Sequence, residues 1–418
     1  MMIFRPGQRE TAVWIHLPGQ AEPVVCGRVA LRQLGPNAAS DYVYGRSYLA
    51  RSDAIPLLPH DLPLERGVHA ARRGLHGVLR DAAPDAWGRR VLLYRLRMSE
   101  SRADSELTEI DYLQAARQRV GALHFQPGVD RLEINEPMDT PDLETLARAA
   151  RAVETQAPLD PELAAALLHG TSIGGARPKV LVCHNAKPCI AKFSSTTDQH
   201  PMVRLEALAL DLARRCGLEV PGHERLDVAG RDALLVERFD VDTTGEHHTR
   251  HHFFSALTAL KLDEMEARYA SYVDLADYLR RFGASPVEQC HELFSRMVFN
   301  ILIGNTDDHA RNHALFWGGD TVRLTPAYDL CVMPRVGGES TQAMEVGSEG
   351  KRSSLSNALS KCGRFGLDRL QAETICRDMI DTITDTWADA ASHAELPTAL
   401  SRHLMRRSVL AESVLVDF

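Results

Sequence analysis

Between residues 11 and 60 the apolar positions come in short runs broken by Gly, Pro and Asn, the pattern of strands joined by turns. Runs at 12–17, 23–30 and 42–44, with Val, Trp, Ile and Tyr prominent, predict three strands. From 67 to 97 the apolar spacing becomes helical. A stretch bounded by Pro127 and Pro141 then predicts a boundary ahead of helices over 142–168. Residues 170–240 mix the two periods. Strand-like runs at 180–183 and 190–193 are followed by a helical pattern over 203–215 carried by Leu205, Leu208, Leu210 and Leu212. A further apolar strand at 233–236 breaks into polar residues. Beyond 253 the pattern is almost entirely helical. The sum predicts an α+β chain in three parts: an N-terminal α/β module over 1–128, a mixed lobe over 129–240 and an α-rich C-terminal lobe over 241–418.

Two polar turns follow apolar runs in that last part. The first reads Asn305-Thr306-Asp307-Asp308-His309-Ala310-Arg311-Asn312 and the second Ala327-Tyr328-Asp329. Asp and Asn are ordinary turn residues. They are also the hard oxygen ligands and the hydroxyl-orienting carboxylate that phosphoryl transfer needs. Asp307 and Asn312 keep the five-residue offset of a protein-kinase catalytic loop, and Asp329 fits the later metal-binding Asp.

Upstream, 170–179 reads Gly-Thr-Ser-Ile-Gly-Gly-Ala-Arg-Pro-Lys and runs into the strand pattern at 180. Gly174 and Gly175 let backbone amides approach an anion, although the loop fits neither the Walker nor the dinucleotide template. Lys192, inside the short strand at 190–193, must snorkel or meet an anion. Glu206 follows fourteen residues later on the helical pattern, the order of a strand Lys and a helix Glu that together position nucleotide phosphates. Glu237 and Phe239 fall where the chain would connect two kinase lobes.

In chain order this set resembles the HipA-type serine/threonine kinases, toxins of HipBA-like type II toxin–antitoxin modules. The resemblance rests on Gly174-Gly175-Ala176-Arg177-Pro178-Lys179, Val236-Glu237-Arg238-Phe239-Asp240, the 305–312 turn, Ala327-Tyr328-Asp329-Leu330, and Pro84-Asp85-Ala86-Trp87-Gly88-Arg89 near the front. It implies a bilobed, protein-kinase-like (HipA-like) fold using ATP and Mg2+. Asp307 would be the catalytic base, and Asn312 and Asp329 would hold the metal. Lys192 with Glu206 would hold the phosphates, while Gly174, Gly175, Ala176 and Lys179 would cover the nucleotide. Glu237 and Phe239 would line the adenine pocket. The resemblance further implies autophosphorylation of the Gly-rich loop at Ser172, with Thr171 a competing site. It also implies a HipB-like DNA-binding antitoxin through which operator DNA is met, and a translation-factor substrate such as an aminoacyl-tRNA synthetase. Asp308 has no assigned role. Two other classes stay open: a small-molecule or lipid-headgroup kinase, and a catalytically weak co-repressor subunit.

Composition adds modest limits. The formal net charge of −8 over 418 residues argues against bulk nucleic-acid binding by the chain itself. Eight scattered Cys without a close metal-type pair read as reduced thiols, which with the absence of any run of ~20 apolar residues or a signal-type apolar segment predicts a cytoplasmic protein without membrane contact. His247, His248, His251 and His252 lie in a polar stretch without Cys or an acidic shell; it reads as a mobile loop near the substrate rather than a zinc site. Trp87, between Pro84 and Gly88, reads as structural.

Overall fold

The computed structural model describes residues 9–33, 38–98, 107–116, 119–132, 142–158, 163, 177–245, 248–334 and 339–418. The chain divides into two units, Met1–Thr197 with Asp227–Phe253, and Asp198–Leu226 with Phe254–Phe418.

The first unit begins with an antiparallel sheet of Glu10–Ile15 (β1), Val24–Gln33 (β2), Ala39–Tyr44 (β3), His69–Ala70 (β4) and Leu123–Gln126 (β5), ordered β4-β3-β2-β1-β5. The three expected strands are β1 to β3. Gly27 on β2 is required by close approach: a Cβ there would stand 2.4 Å from both Tyr42 Oη and the Val43 carbonyl oxygen. A second antiparallel ladder joins Lys179–His184 (β6), Lys187–Phe193 (β7) and the strand Arg231–Glu237, with β7 in the middle. Trp87 is fully buried on the helix Ala86–Met98 and donates its indole N–H to the Lys179 carbonyl oxygen (2.9 Å), which ties that helix to β6. The helix Leu143–Thr155 is capped by Asp142 and buries Leu146, Ala149, Ala150 and Val153, one face at helical spacing.

In the first unit two stretches depart from the sequence expectation. Within 67–97, helices form at Gly77–Asp81 and Ala86–Met98, but His69–Ala70 pairs with β3 at the sheet edge. The His-rich stretch is not simply a loop: Thr249–Arg250 pairs with Val241–Asp242, and His252 is buried with its Nε2 2.9 Å from the Leu57 carbonyl oxygen. Among the described residues no group of three or more His, Cys, Asp and Glu is arranged to hold a metal ion.

Burial pushes the His252 imidazole down to about 4, with the Leu57 hydrogen bond opposing it. The unfolded chain protonates near pH 6.5 and the folded one near 4, so the stabilisation is complete above about pH 6.5 and is lost as pH falls toward 4. At pH 4.5 this one group costs about 2–3 kcal/mol. Urea titration of the wild type and His252→Gln at pH 7 and 4.5 should show a smaller acid loss in the variant. Equal losses would assign the acid sensitivity elsewhere.

The second unit is mainly helical. The helix Pro286–Leu302, with Pro at its first turn, buries Leu293, Phe294, Met297, Val298, Ile301 and Leu302 and packs on Tyr272–Phe282. The helix Met202–Arg215 packs on Arg369–His393, and Arg215 pairs with Asp389 at 2.6 Å. The helical expectation beyond 253 is interrupted by the hairpin Ala314–Trp317/Val322–Leu324 and by the described residues of 325–354, which form no helix. Among the described residues no helix is long and apolar enough to cross a membrane. All eight cysteines are free, and Cys26, Cys189, Cys290, Cys362 and Cys376 are buried.

Candidate active site

The first polar turn begins where the helix Pro286–Leu302 ends. Gly304 takes φ +71°, its N–H donates to the Ile301 carbonyl (3.2 Å), and the Asn305 N–H reaches back to that of Asn300 (2.9 Å). This is the Schellman arrangement, in which a glycine at positive φ reverses the chain while the last helical carbonyls stay satisfied. The turn therefore leaves the helix in a fixed direction.

Asp308, 1% exposed, holds the turn from within. Its Oδ2 accepts from Asn300 Nδ2 (2.8 Å), from Tyr272 Oη, and lies 3.0 Å from His313 Nε2. Asn305 Nδ2 donates to Asn300 Oδ1 (2.8 Å), extending the network. Burial, then the Asp308 charge, holds the Tyr272 phenol well above its ordinary range, so Tyr272 stays a donor. The backbone is anchored as well: Ala256 N–H donates to the His313 carbonyl (2.7 Å) and Leu257 N–H to that of Ala310 (3.2 Å). Sequence reasoning left Asp308 without a role. It is the buried member of the Asp-Asp pair, and Asp307 is the exposed one.

The Asp307 carboxylate makes no hydrogen bond or ion pair among the described residues; its backbone carbonyl accepts from Asn312 Nδ2 (3.3 Å). That bond commits the amide nitrogen of Asn312 and leaves Oδ1 as the atom a hard cation would meet. The second turn is tied to the first by Tyr328, whose Oη donates to the Arg311 carbonyl (2.7 Å). Ala327 N–H donates to the Glu219 carbonyl (2.7 Å) and Thr325 N–H to that of Ala314 (3.0 Å). Between these anchors Asp329 adopts φ +57°, a left-handed conformation that Asp tolerates better than most residues. Positive φ at a non-Gly residue persists only where the surroundings enforce it. Asp307, Asn312 and Asp329 thus sit on two cross-tied turns of one unit, and Arg311 pairs with Glu264 at their side (2.9 Å).

The nucleotide-binding candidates divide. Glu206 lies half-buried on the helix Met202–Arg215 of the second unit, whereas Lys179, Lys192, Glu237 and Phe239 belong to the first. On β7, Cys189, Ala191 and Phe193 are buried and alternate with half-buried Ile190 and Lys192, so Lys192 shares the opposite face with Ile190. Lys192 stands directly across from Lys179 in the ladder, which puts both side chains on one face. Glu237 pairs with Lys187 at 2.5 Å, and the pair is solvent-exposed and worth little to stability. Phe239 packs edge-on against Phe253 with centroids 6.0 Å apart. Thr171, Ser172, Gly174, Gly175 and Ala176 lie outside the described residues.

Sequence reasoning quoted the residues flanking Phe239 only within a motif and gave them no role of their own. Arg238 grips Asp240 with two bonds (3.0 and 2.6 Å) and donates to the Arg119 carbonyl (2.8 Å). Burial pushes the Asp240 carboxyl up, but Arg238 outweighs it and the net shift is downward. The only signal in the sequence was an Arg and an Asp two apart beside an apolar strand.

A family model for the HipA-like C-terminal domain matches residues 171–387. The candidate kinase Y4mE of Sinorhizobium fredii is 33% identical over 156 residues, 35% of this chain and 35% of its own length. The serine/threonine-protein kinase toxin HipA of Shewanella oneidensis is 27% identical over 186 residues, 38% of this chain and 42% of its own. The chain therefore spans less than half the length of the curated relatives it matches. Among solved structures, a chain from the complex of Shewanella oneidensis HipA, HipB and operator DNA superposes with a TM-score of 0.65 at 18% identity, covering 94% of this chain and 96% of that one. At that identity the likeness establishes the fold: α+β and HipA-like.

Proposed function

The chain belongs to the HipA-like C-terminal domain family, and on that premise we propose that it is an ATP- and Mg2+-dependent protein serine/threonine kinase, the toxin of a toxin–antitoxin pair. The observation that carries the reading is the pair of cross-tied turns bearing Asp307, Asn312 and Asp329. Kinase sites hold magnesium through one or two protein carboxylates, an amide oxygen and the nucleotide phosphates rather than through a closed protein cage. Asn312 Oδ1 and the Asp329 carboxylate are hard oxygen donors that fit this demand. When bound, the metal would neutralise charge on the phosphates.

Asp307 accepts a hydrogen bond from the substrate hydroxyl and aligns it. The hydroxyl oxygen forms a bond to the γ-phosphorus as the bond from that phosphorus to the β,γ-bridging oxygen breaks. ADP departs, and the hydroxyl proton passes to the Asp307 carboxylate and on to solvent. Lys192 and Glu206 are the residues assigned to the α- and β-phosphates. The place of Lys192 on the same face of the ladder as Lys179 supports this, since two basic side chains on one face suit a polyanionic ligand. Gly174, Gly175, Ala176 and Lys179 cover the nucleotide, and Glu237 and Phe239 border the adenine. Ser172 is the autophosphorylation site that shuts the loop down, since a phosphate there adds about −1.5 to −2 charges facing those of the nucleotide.

The partner is a HipB-like antitoxin dimer that brings the complex to operator DNA. The solved HipA, HipB and operator DNA complex supports this. The substrate is a translation factor such as an aminoacyl-tRNA synthetase, met in the cytoplasm. Phosphoproteomics on cells expressing the wild type or Asp307→Gln tests the reading: new phosphoserine or phosphothreonine should appear with the wild type alone. Identical phosphoproteomes would transfer the activity to a small molecule or remove it.

A further inference from the structure

A polar cavity of about 320 Å³ opens in the first unit between β5 and the helix Glu109–Ala115. Gln114, Arg119, His124, Phe125, Gln126 and Arg131 line it. It shares none of the residues assigned above to phosphoryl transfer.

Arg119 is 1% exposed. Its Nη1 donates to the Ala82 carbonyl (2.7 Å), its Nη2 to that of Leu113, and its guanidinium lies 4.7 Å from the centre of the Phe125 ring. These partners are neutral, and Arg119 forms no ion pair with any described carboxylate. The neighbouring acid is already engaged, because Asp240 receives both prongs of Arg238 and the Gly121 N–H (2.7 Å). Arg238 and Arg250 donate to the Arg119 backbone carbonyl (2.8 and 2.9 Å), which fixes the chain at that point. Burial pushes the Arg119 guanidinium down to about 9, and His124, 4% exposed in the same wall, well below its ordinary value. A buried cation without a counter-charge is costly, and proteins resolve it with a partner or a ligand. Here a cavity adjoins it.

We propose that this cavity binds a phosphate-class oxyanion, with Arg119 as its buried counter-charge and Arg131 at its mouth. Two guanidiniums match the charge of a phosphate near neutral pH, and their forked donors suit its oxygens better than a single carboxylate would. The anion is either free phosphate or the phosphate of a small phosphomonoester.

Calorimetric titration of the full chain with inorganic phosphate, at matched chloride ionic strength, tests this; glycerol 3-phosphate forms a second arm. The wild type should bind one equivalent saturably. Arg131→Ser should weaken binding about tenfold or more, the scale of one lost charge-assisted contact, and Arg119→Gln should remove it. Arg131 is exposed, so its variant decides the matter if Arg119→Gln does not fold. Tighter binding of the monoester identifies that source, and binding of inorganic phosphate alone identifies the free ion. Unchanged affinity in Arg131→Ser, or no saturable binding up to ~10 mM ligand, overturns the proposal.

Discussion

Asp307→Gln should lower phosphoryl transfer by about 10²- to 10⁴-fold, the usual contribution of a positioned general base. The carboxylate of Asp307 is exposed and bonded to nothing described, whereas its backbone carbonyl accepts from Asn312. The substitution therefore removes the group that orients the hydroxyl and leaves the turn's own bonds intact. The loss should fall on kcat, with the KM for ATP and the unfolding midpoint nearly unchanged, because the interaction forms with the reacting hydroxyl rather than with the nucleotide. Initial rates with γ-labelled ATP read this directly. Equal rates in the two proteins would take Asp307 out of its role.

Asp308→Ala should do the opposite first, by destabilising the second unit. It strips the acceptor from Tyr272 Oη, Asn300 Nδ2 and His313 Nε2, in a place where water does not reach. Each buried donor left unmade costs about 1–3 kcal/mol, so the set should cost on the order of 3–5 kcal/mol. At about 2–4 °C per kcal/mol for a unit of this size, calorimetry should record a midpoint lower by roughly 10 °C. Tyr272→Phe removes one donor and leaves the carboxylate two partners, and should cost only about 1 kcal/mol. A drop for Asp308→Ala no larger than that for Tyr272→Phe would mean the network does not hold the turn.

These two neighbours show where reading a sequence succeeds and where it stops. Strands β1 to β3 were legible because apolar residues and turn residues alternate over short distances, and the helices at Leu143–Thr155 and Met202–Arg215 because their buried positions recur at helical spacing. The Asp-x4-Asn spacing and the later Asp of the candidate site were also local patterns. Which Asp of the pair is buried was not local. It depends on Tyr272, 36 residues earlier in the chain, and on the fold that brings it there. His252 looked like one of four polar histidines until Leu57, 195 positions away, closed over it. His69–Ala70 is too short for any period to appear, and the ladder with β3 alone defines it. Arg238 and Asp240 were quoted only as part of a motif; their grip on each other depends on Arg119 and Gly121, about 120 residues distant (119 for each contact). Long-range partners decide burial, and burial decides the role of a polar residue.

The central claim is that Asp329 and Asn312 hold magnesium against the nucleotide whose phosphoryl group Asp307 directs. Its most direct test is the affinity of a non-hydrolysable ATP analogue, measured with and without Mg2+, in the wild type and in Asp329→Asn. The wild type should bind the analogue about tenfold or more tightly with the metal, and the variant should bind it equally with or without. The same metal enhancement in both proteins would contradict the account.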